Sequence, residues 1–174
     1  MASSKRSTAP ANNSAATSPA PRTTSTSSPT KSTSTTNTTV VIALGSNLGD
    51  RRYNVRRAIH AMQEFVHVVR VSEMIETDAV DSPAGAPPFL NAVVIGYTKL
   101  APMPLLEALL AVEARLGRVR RGVRNEPRVI DLDLILCGAV RMKTERLTLP
   151  HPRAAQRAFV MMPLRSISDV TWRG

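Results

Sequence analysis

Cysteine is nearly absent: Cys137 is the only one in 174 residues. That excludes an intramolecular disulfide framework and a cysteine-only zinc site, and it fits a reducing compartment. Aromatic residues make up 3% of the chain, so aliphatic side chains must fill the core and each ring invites a question about its use. No apolar run approaches the roughly 20 residues of a membrane-spanning helix, and no apolar stretch at the N-terminus has the form of a secretory signal. A soluble, cytoplasmic protein is expected. Acids are also scarce: 13 Asp and Glu against 23 Lys and Arg leave a net charge of +10. Such a surplus points to an anionic partner, whether nucleotide, nucleic acid or acidic membrane surface.

What is present divides into a tail and one domain. Residues Met1 to Thr39 are Ser, Thr, Ala, Pro and Asn with almost no large aliphatic side chain, and such a segment cannot offset the entropy of ordering itself. It reads as a disordered tail. It holds Lys5, Arg6, Arg22 and Lys31 and no acid, which leaves +6 on residues 40–174. Its composition also allows an organelle transit peptide, the weaker reading for want of an amphipathic period.

In the domain, Val40 to Leu44 forms a β-branched run stopped by Gly45-Ser46-Asn47-Leu48-Gly49. Asp50 caps a helix to about Phe65, its apolar face being Val55, Ala58, Ile59 and Met62. Val66 to Ile75 reads as a second strand, and Phe89 to Thr98, after a proline-rich loop, as a third. A second helix starts at Pro102 or Pro104 and ends at Gly117. Val129 to Leu136 is the fourth strand, followed by a hairpin after Gly138 and a C-terminal appendage. The order βαββαβ predicts an α+β, ferredoxin-like core: a four-stranded antiparallel sheet with both helices on one face.

The most informative segment is the fourth strand, where Asp131 and Asp133 interrupt an aliphatic run at i and i+2. Strand alternation sets both carboxylates on one face with Cα atoms about 7 Å apart, a spacing that can share two divalent ions. Magnesium suits all-oxygen ligation. Alone, an Asp-x-Asp is more often a solvated strand face. Its surroundings argue otherwise, because Arg115, Arg118, Arg120, Arg121, Arg124 and Arg128 precede it with only Glu126 among them. A mobile cationic segment beside paired carboxylates describes a polyphosphate site, since arginine gives planar multidentate donors to phosphate. A nucleic-acid patch stays open as the alternative, although few aromatics are near to stack on bases. His151, between two prolines, could donate to phosphate; His60 and His67 are left as surface or structural residues. No GxxxxGK[ST] sequence occurs, so the Gly45 to Gly49 turn is not a Walker loop.

These motifs resemble the 6-hydroxymethyl-7,8-dihydropterin pyrophosphokinase family of folate biosynthesis. The resemblance covers about Val40 to Leu164 and rests on Ala43 to Gly49, Phe89-Leu90-Asn91-Ala92, Gly117-Arg118-Val119-Arg120, Pro127-Arg128 with Asp131-Leu132-Asp133, and Leu149-Pro150-His151-Pro152 with Arg157 and Phe159. It implies a ferredoxin-like fold that transfers pyrophosphate from ATP to the pterin hydroxymethyl group, releases AMP, and uses two magnesium ions held by Asp131 and Asp133. Arg118 and Arg128 would then be catalytic arms on the triphosphate. Glu113, Arg120, Arg124, Thr148, His151 and Arg157 would complete the ATP site. Phe89 and Phe159 would sandwich the pterin, with Asn91, Thr77 and Val80 at its edge. The partners implied are ATP and reduced pterin for a monomer, with neither nucleic acid nor membrane.

The chain departs from the family pattern at Asn125-Glu126, where many members have an aromatic residue and glycine, at Asp81, where a glycine is expected, and in stopping soon after Trp172. The rival class is a basic, nucleic-acid-binding module on the same fold. It would keep its binding after aspartate substitution and weaken steeply with salt.

Overall fold

The computed structural model describes residues 37–79, 85–120, 122 and 126–168. The expectations for residues 1–36 of the tail, for Val80, Asp81, Arg121, Arg124, Asn125 and for Trp172 fall outside the described residues, whereas Thr38 and Thr39, expected in the tail, belong to the first strand, where they pair with Thr98 and Tyr97.

Strand β1 (Thr38–Ser46) is central, and β4 (Phe89–Thr98) and β5 (Asp131–Cys137) flank it. Strand β2 (His67–Val71) lies beyond β4, and β3 (Ile75–Thr77) pairs with β4 farther along. All these pairings are antiparallel. Helices α1 (Arg51–Met62) and α2 (Pro102–Arg115) cover one face of the sheet. Alternation along the strands makes that face: Val40, Ile42, Leu44, Ala92, Val94, Leu132 and Leu134 pack with Val55, Met62, Leu105 and Leu109. Truncating a buried leucine such as Leu105 to alanine costs about 2–5 kcal/mol at such a site.

The opposite face is not bare. Helix α3 (Ala158–Ile167) buries Val160, Met161 and Leu164 against Val41, Ala43, Val93 and Ile135. The expected appendage is thus a third layer, preceded by a short pair β6 (Met142–Lys143) and β7 (Thr148–Leu149).

Several boundaries differ from expectation for physical reasons. The run Val66 to Ile75 forms two strands, because Ser72 interrupts the ladder: its hydroxyl accepts the Val93 N–H at 2.9 Å while its own N–H donates to the Val93 carbonyl at 2.9 Å. Strand β1 continues through Gly45 to Ser46, since Gly45 pairs with Asn91 on one side and Asp131 on the other. Helix α1 ends at Met62, and β5 starts at Asp131. The Asp50 carboxylate does cap α1, accepting the Tyr53 N–H at 2.9 Å.

Candidate active site

The sheet's α3-side face carries Phe89, Asn91, Gly45, Asp131 and Asp133 on three adjacent strands, at the end beyond the residues that α3 buries. Gly45 belongs there because a Cβ would lie 3.0 Å from Asn91 Oδ1 and 3.3 Å from the Phe89 ring. A strand glycine marks such close approach, and that signal was present in the sequence, where it read as a strand stop. A cavity of about 770 Å³ opens over this end. Its lining includes Gly45, Thr77, Phe89, Asn91, Glu113, Arg118, Arg120, Arg128, Asp131, Asp133, Arg157 and Phe159.

Two ends of the cavity differ in chemistry. On one side Phe89 and Phe159 bring rings, and Asn91 Nδ2 donates to the Thr77 hydroxyl at 2.9 Å. On the other, every carboxylate meets guanidinium. Asp131 pairs with Arg118 and, at 3.4 Å, with Arg128; Asp133 pairs with Arg157 at 3.0 Å. The arginines also bridge the two ends, since Arg128 lies over the Phe89 ring and Arg157 over the Phe159 ring, each 5.4 Å from the centroid.

Among the described residues of the arginine segment, Arg118 and Arg120 have defined acidic partners. Helix α2 ends in a Schellman turn: Gly117, at φ +96°, donates to the Ala114 carbonyl, and Arg118 N–H donates to the Glu113 carbonyl. The turn folds Arg118 back over its own helix. There Glu113, 2% exposed, accepts from Arg118, from Arg120 at 2.7 Å and from the Leu132 N–H at 2.7 Å. One buried carboxylate thereby organises two arginines and ties α2 to β5.

Burial pushes the Glu113 carboxyl above its ordinary 4.5, opposed chiefly by Arg118. Burial, then the neighbouring Asp131 carboxylate, raises Asp133 above 3.8, opposed by His151 and Arg157. Burial lowers His151 below 6.5, with Asp133 pulling the other way. Cys137 is buried, its thiol raised by burial, and belongs to packing.

Neither His151 nor Thr148 lines the cavity, although His151 interacts electrostatically with Asp133 and Arg157. The His151 backbone N–H donates to the Ile135 carbonyl at 2.9 Å, and its Nδ1 accepts the Arg153 N–H at 3.2 Å. Thr148 sits in β7, paired with Lys143. Sequence reasoning also missed Asn47, Arg51, Arg153 and Gln156. The last two line the cavity from the turn before α3, and no periodicity singles them out.

A basic cavity that joins paired carboxylates to aromatic rings defines a site for an anionic ligand with a flat apolar part. Comparison with known proteins narrows this class. Residues 41–169 match the 7,8-dihydro-6-hydroxymethylpterin-pyrophosphokinase (HPPK) family. The Bacillus subtilis 2-amino-4-hydroxy-6-hydroxymethyldihydropteridine pyrophosphokinase is 43% identical over 133 residues, 75% of this chain and 78% of that protein. The Arabidopsis thaliana folate synthesis bifunctional protein is 41% identical over 126 residues, 72% of this chain. The mitochondrial folate synthesis bifunctional protein of Pisum sativum is 43% identical over 129 residues, 74% of this chain. This chain spans about a quarter of the length of those two plant proteins, 26% and 25%. The wild-type Plasmodium falciparum HPPK-DHPS crystal structure superposes with a TM-score of 0.56 at 12% identity, over 75% of this chain and 41% of that one. The chain belongs to the HPPK family.

Proposed function

We propose that this chain transfers pyrophosphate from ATP to the hydroxymethyl group of 6-hydroxymethyl-7,8-dihydropterin, releasing AMP, in tetrahydrofolate biosynthesis. The observation that carries the reading is Gly45, flanked in register by Asn91 on the aromatic side and Asp131 on the carboxylate side. A pterin stacked at Phe89 and Phe159 then lies within one cavity of a triphosphate held by arginine. The pterin edge takes hydrogen bonds from Asn91 and Thr77, with Val80 nearby in the chain. Each aromatic contact is worth about 0.5–1.5 kcal/mol beyond burial.

In the reaction the pterin hydroxyl oxygen attacks the β-phosphorus in line. The bond from that phosphorus to the bridging oxygen of AMP breaks, and the hydroxyl proton goes to solvent or a carboxylate. Most of the catalysis is positioning and electrostatics. Arg118 and Arg128, with Arg120, Arg124 and Arg157, hold phosphate oxygens. Glu113 orients Arg118 and Arg120, and His151 and Thr148 contribute to the nucleotide side.

Two magnesium ions would be held by Asp131 and Asp133, where they would neutralise phosphate charge. The donor set fits. Both carboxylates lie on one strand face, all donors are oxygen, and guanidinium groups stand as their cationic partners in this structure. Among the described residues no group of three or more His, Cys, Asp and Glu could hold a metal by itself. Phosphate and water must complete the shell, as is usual for magnesium with nucleotides.

The strand order β2-β4-β1-β5 with α1 and α2 on one face supports a ferredoxin-like description of the core. No helix among the described residues is long and apolar enough to cross a membrane. The proposal takes the protein as a cytoplasmic monomer that binds no nucleic acid. A mitochondrial relative in pea makes import the competing setting, decided by whether residues 1–39 carry a reporter into mitochondria. The reaction itself is tested by AMP formation: it should require magnesium and the pterin together. AMP formation independent of the pterin would overturn the reading.

A further inference from the structure

Behind the aromatic end of the cavity, one arginine holds both of the strands that build that end. Arg51 is the first residue of α1 and does not line the cavity. Its guanidinium donates to the Pro88 carbonyl at 2.8 Å and pairs with Glu76 at 2.7 Å. Pro88 immediately precedes Phe89, and Glu76 immediately precedes Thr77. In the ladder Thr77 lies opposite Phe89 and Glu76 opposite Leu90. Strand alternation therefore gives Thr77 and Phe89 to the cavity face and Glu76 to the face that α1 covers.

This strap has a firm footing. The Asp50 carboxylate caps α1, and Asn54, Val55, Ala58 and Met62 bury the helix against the sheet. A cation in a first helical turn is disfavoured by the helix dipole, and no acid stands in that turn of α1. The Glu76 carboxylate supplies the counter-charge from β3. That strand has only three residues, and its ladder partner is β4, so little backbone bonding fixes it and a further tie counts. Inside the cavity Arg128 meets the Phe89 ring and Asn91 meets Thr77; Arg51 is the hold from the rear.

We infer that Arg51 is a positioning residue for the pterin: from behind the sheet it sets the relative placement of Thr77 and Phe89, so that its loss weakens pterin binding selectively and leaves the nucleotide end intact. The inference rests on the functional reading above and adds a determinant of affinity for the second substrate. The Arg51 and Glu76 side chains are 31% and 55% exposed, so salt screens the pair. The reduced pterin carries no net charge at neutral pH. A salt dependence of its affinity that disappears with the pair therefore reports the strap and not the ligand.

Arg51→Ala, Arg51→Lys, Glu76→Gln and the double variant Arg51→Ala/Glu76→Gln test it. The dissociation constant of 6-hydroxymethyl-7,8-dihydropterin is measured calorimetrically with a saturating non-transferring ATP analogue and magnesium, and that of the analogue is measured alone. Arg51→Ala should weaken pterin binding by about five- to tenfold, the effect of one charge-assisted hydrogen bond lost, while the analogue binds within about twofold of wild type. Glu76→Gln should cost about two- to threefold, as a half-exposed pair does. Lysine offers a point charge in place of the planar fork and should restore part of the loss. The double variant should be no weaker than Arg51→Ala, because the two residues act as one unit. Raising salt to about 0.5 M should weaken pterin binding in wild type and leave Arg51→Ala unchanged. Hydrogen exchange at Glu76 and Thr77 should quicken in Arg51→Ala.

Equal losses for pterin and analogue, or a pterin affinity that Arg51→Ala leaves untouched, would overturn the inference. A wild type that binds the analogue but not the pterin would instead overturn the functional reading beneath it. Should Arg51→Ala not fold, Arg51→Lys and Glu76→Gln carry the same comparison.

Discussion

Glu113 and Leu132, nineteen residues apart, are joined by a hydrogen bond of 2.7 Å from the strand N–H to the buried carboxylate. That bond locks the end of α2 to the strand that carries both aspartates, and through Glu113 it also sets Arg118 and Arg120. Glu113→Ala leaves the Leu132 N–H and the Arg118 guanidinium short of a buried partner, a loss of about 3–5 kcal/mol where one member of a buried ion pair is removed. Thermal unfolding should show the loss. Glu113→Gln, which keeps the acceptor for Leu132, should recover much of it but not the turnover, because the two arginines are released.

Arg118→Ala and Arg128→Ala should depress turnover more than nucleotide affinity, since these side chains act chiefly on charge that develops as the phosphorus is attacked. Steady-state kinetics beside equilibrium nucleotide titration make the comparison. If affinity alone falls, both arginines are ground-state clamps.

Asp133→Asn carries two opposite expectations. A carboxyl whose folded-state pKa is raised favours the fold below its ordinary 3.8 and loses that contribution as pH rises through the folded value. At neutral pH the ionised Asp133 therefore costs stability in the ligand-free protein, and the amide should raise the melting temperature at pH 7. Turnover should nearly vanish in the same variant, as it should in Asp131→Asn. Calorimetric scans between pH 4 and 8 should show the stabilisation growing with pH; a melting temperature that falls at neutral pH contradicts the account.

The carboxylate pair was legible in the sequence because an i, i+2 spacing survives any packing of a strand. The buried partners were not. Glu113 reads as one more helix acid until α2 and β5 meet, and the counter-charge for Arg118 and Arg120 is only then supplied. Helix α3 was missed because Pro163 lies inside it, a residue that lacks a backbone donor and ordinarily argues against helix. The break at Ser72 was equally hidden, since a side-chain hydroxyl standing in for a ladder acceptor depends on where Val93 comes to lie.

Gly45→Ala should weaken pterin binding by about tenfold, in the range of about 1–3 kcal/mol for overpacking, while nucleotide binding stays close to wild type. The added methyl meets Asn91 Oδ1 at 3.0 Å and the Phe89 ring at 3.3 Å, both on the aromatic side. Phe89→Ala should show the same preference from the loss of the ring. Fluorescence titration with the pterin and calorimetry with the ATP analogue read the two sites separately. Equal losses for both ligands would mean that this part of the sheet serves packing alone.

The central claim, transfer of a pyrophosphate as one unit, is tested most directly by isotope position. Two reactions are run with magnesium and the reduced pterin, one with ATP labelled at the β-phosphate and one with ATP labelled at the γ-phosphate, and the pterin product is isolated from each. Label from both positions in that product, with unlabelled AMP left behind, is the predicted result. Label from the γ-position only, with labelled ADP formed in the β-labelled reaction, would contradict it.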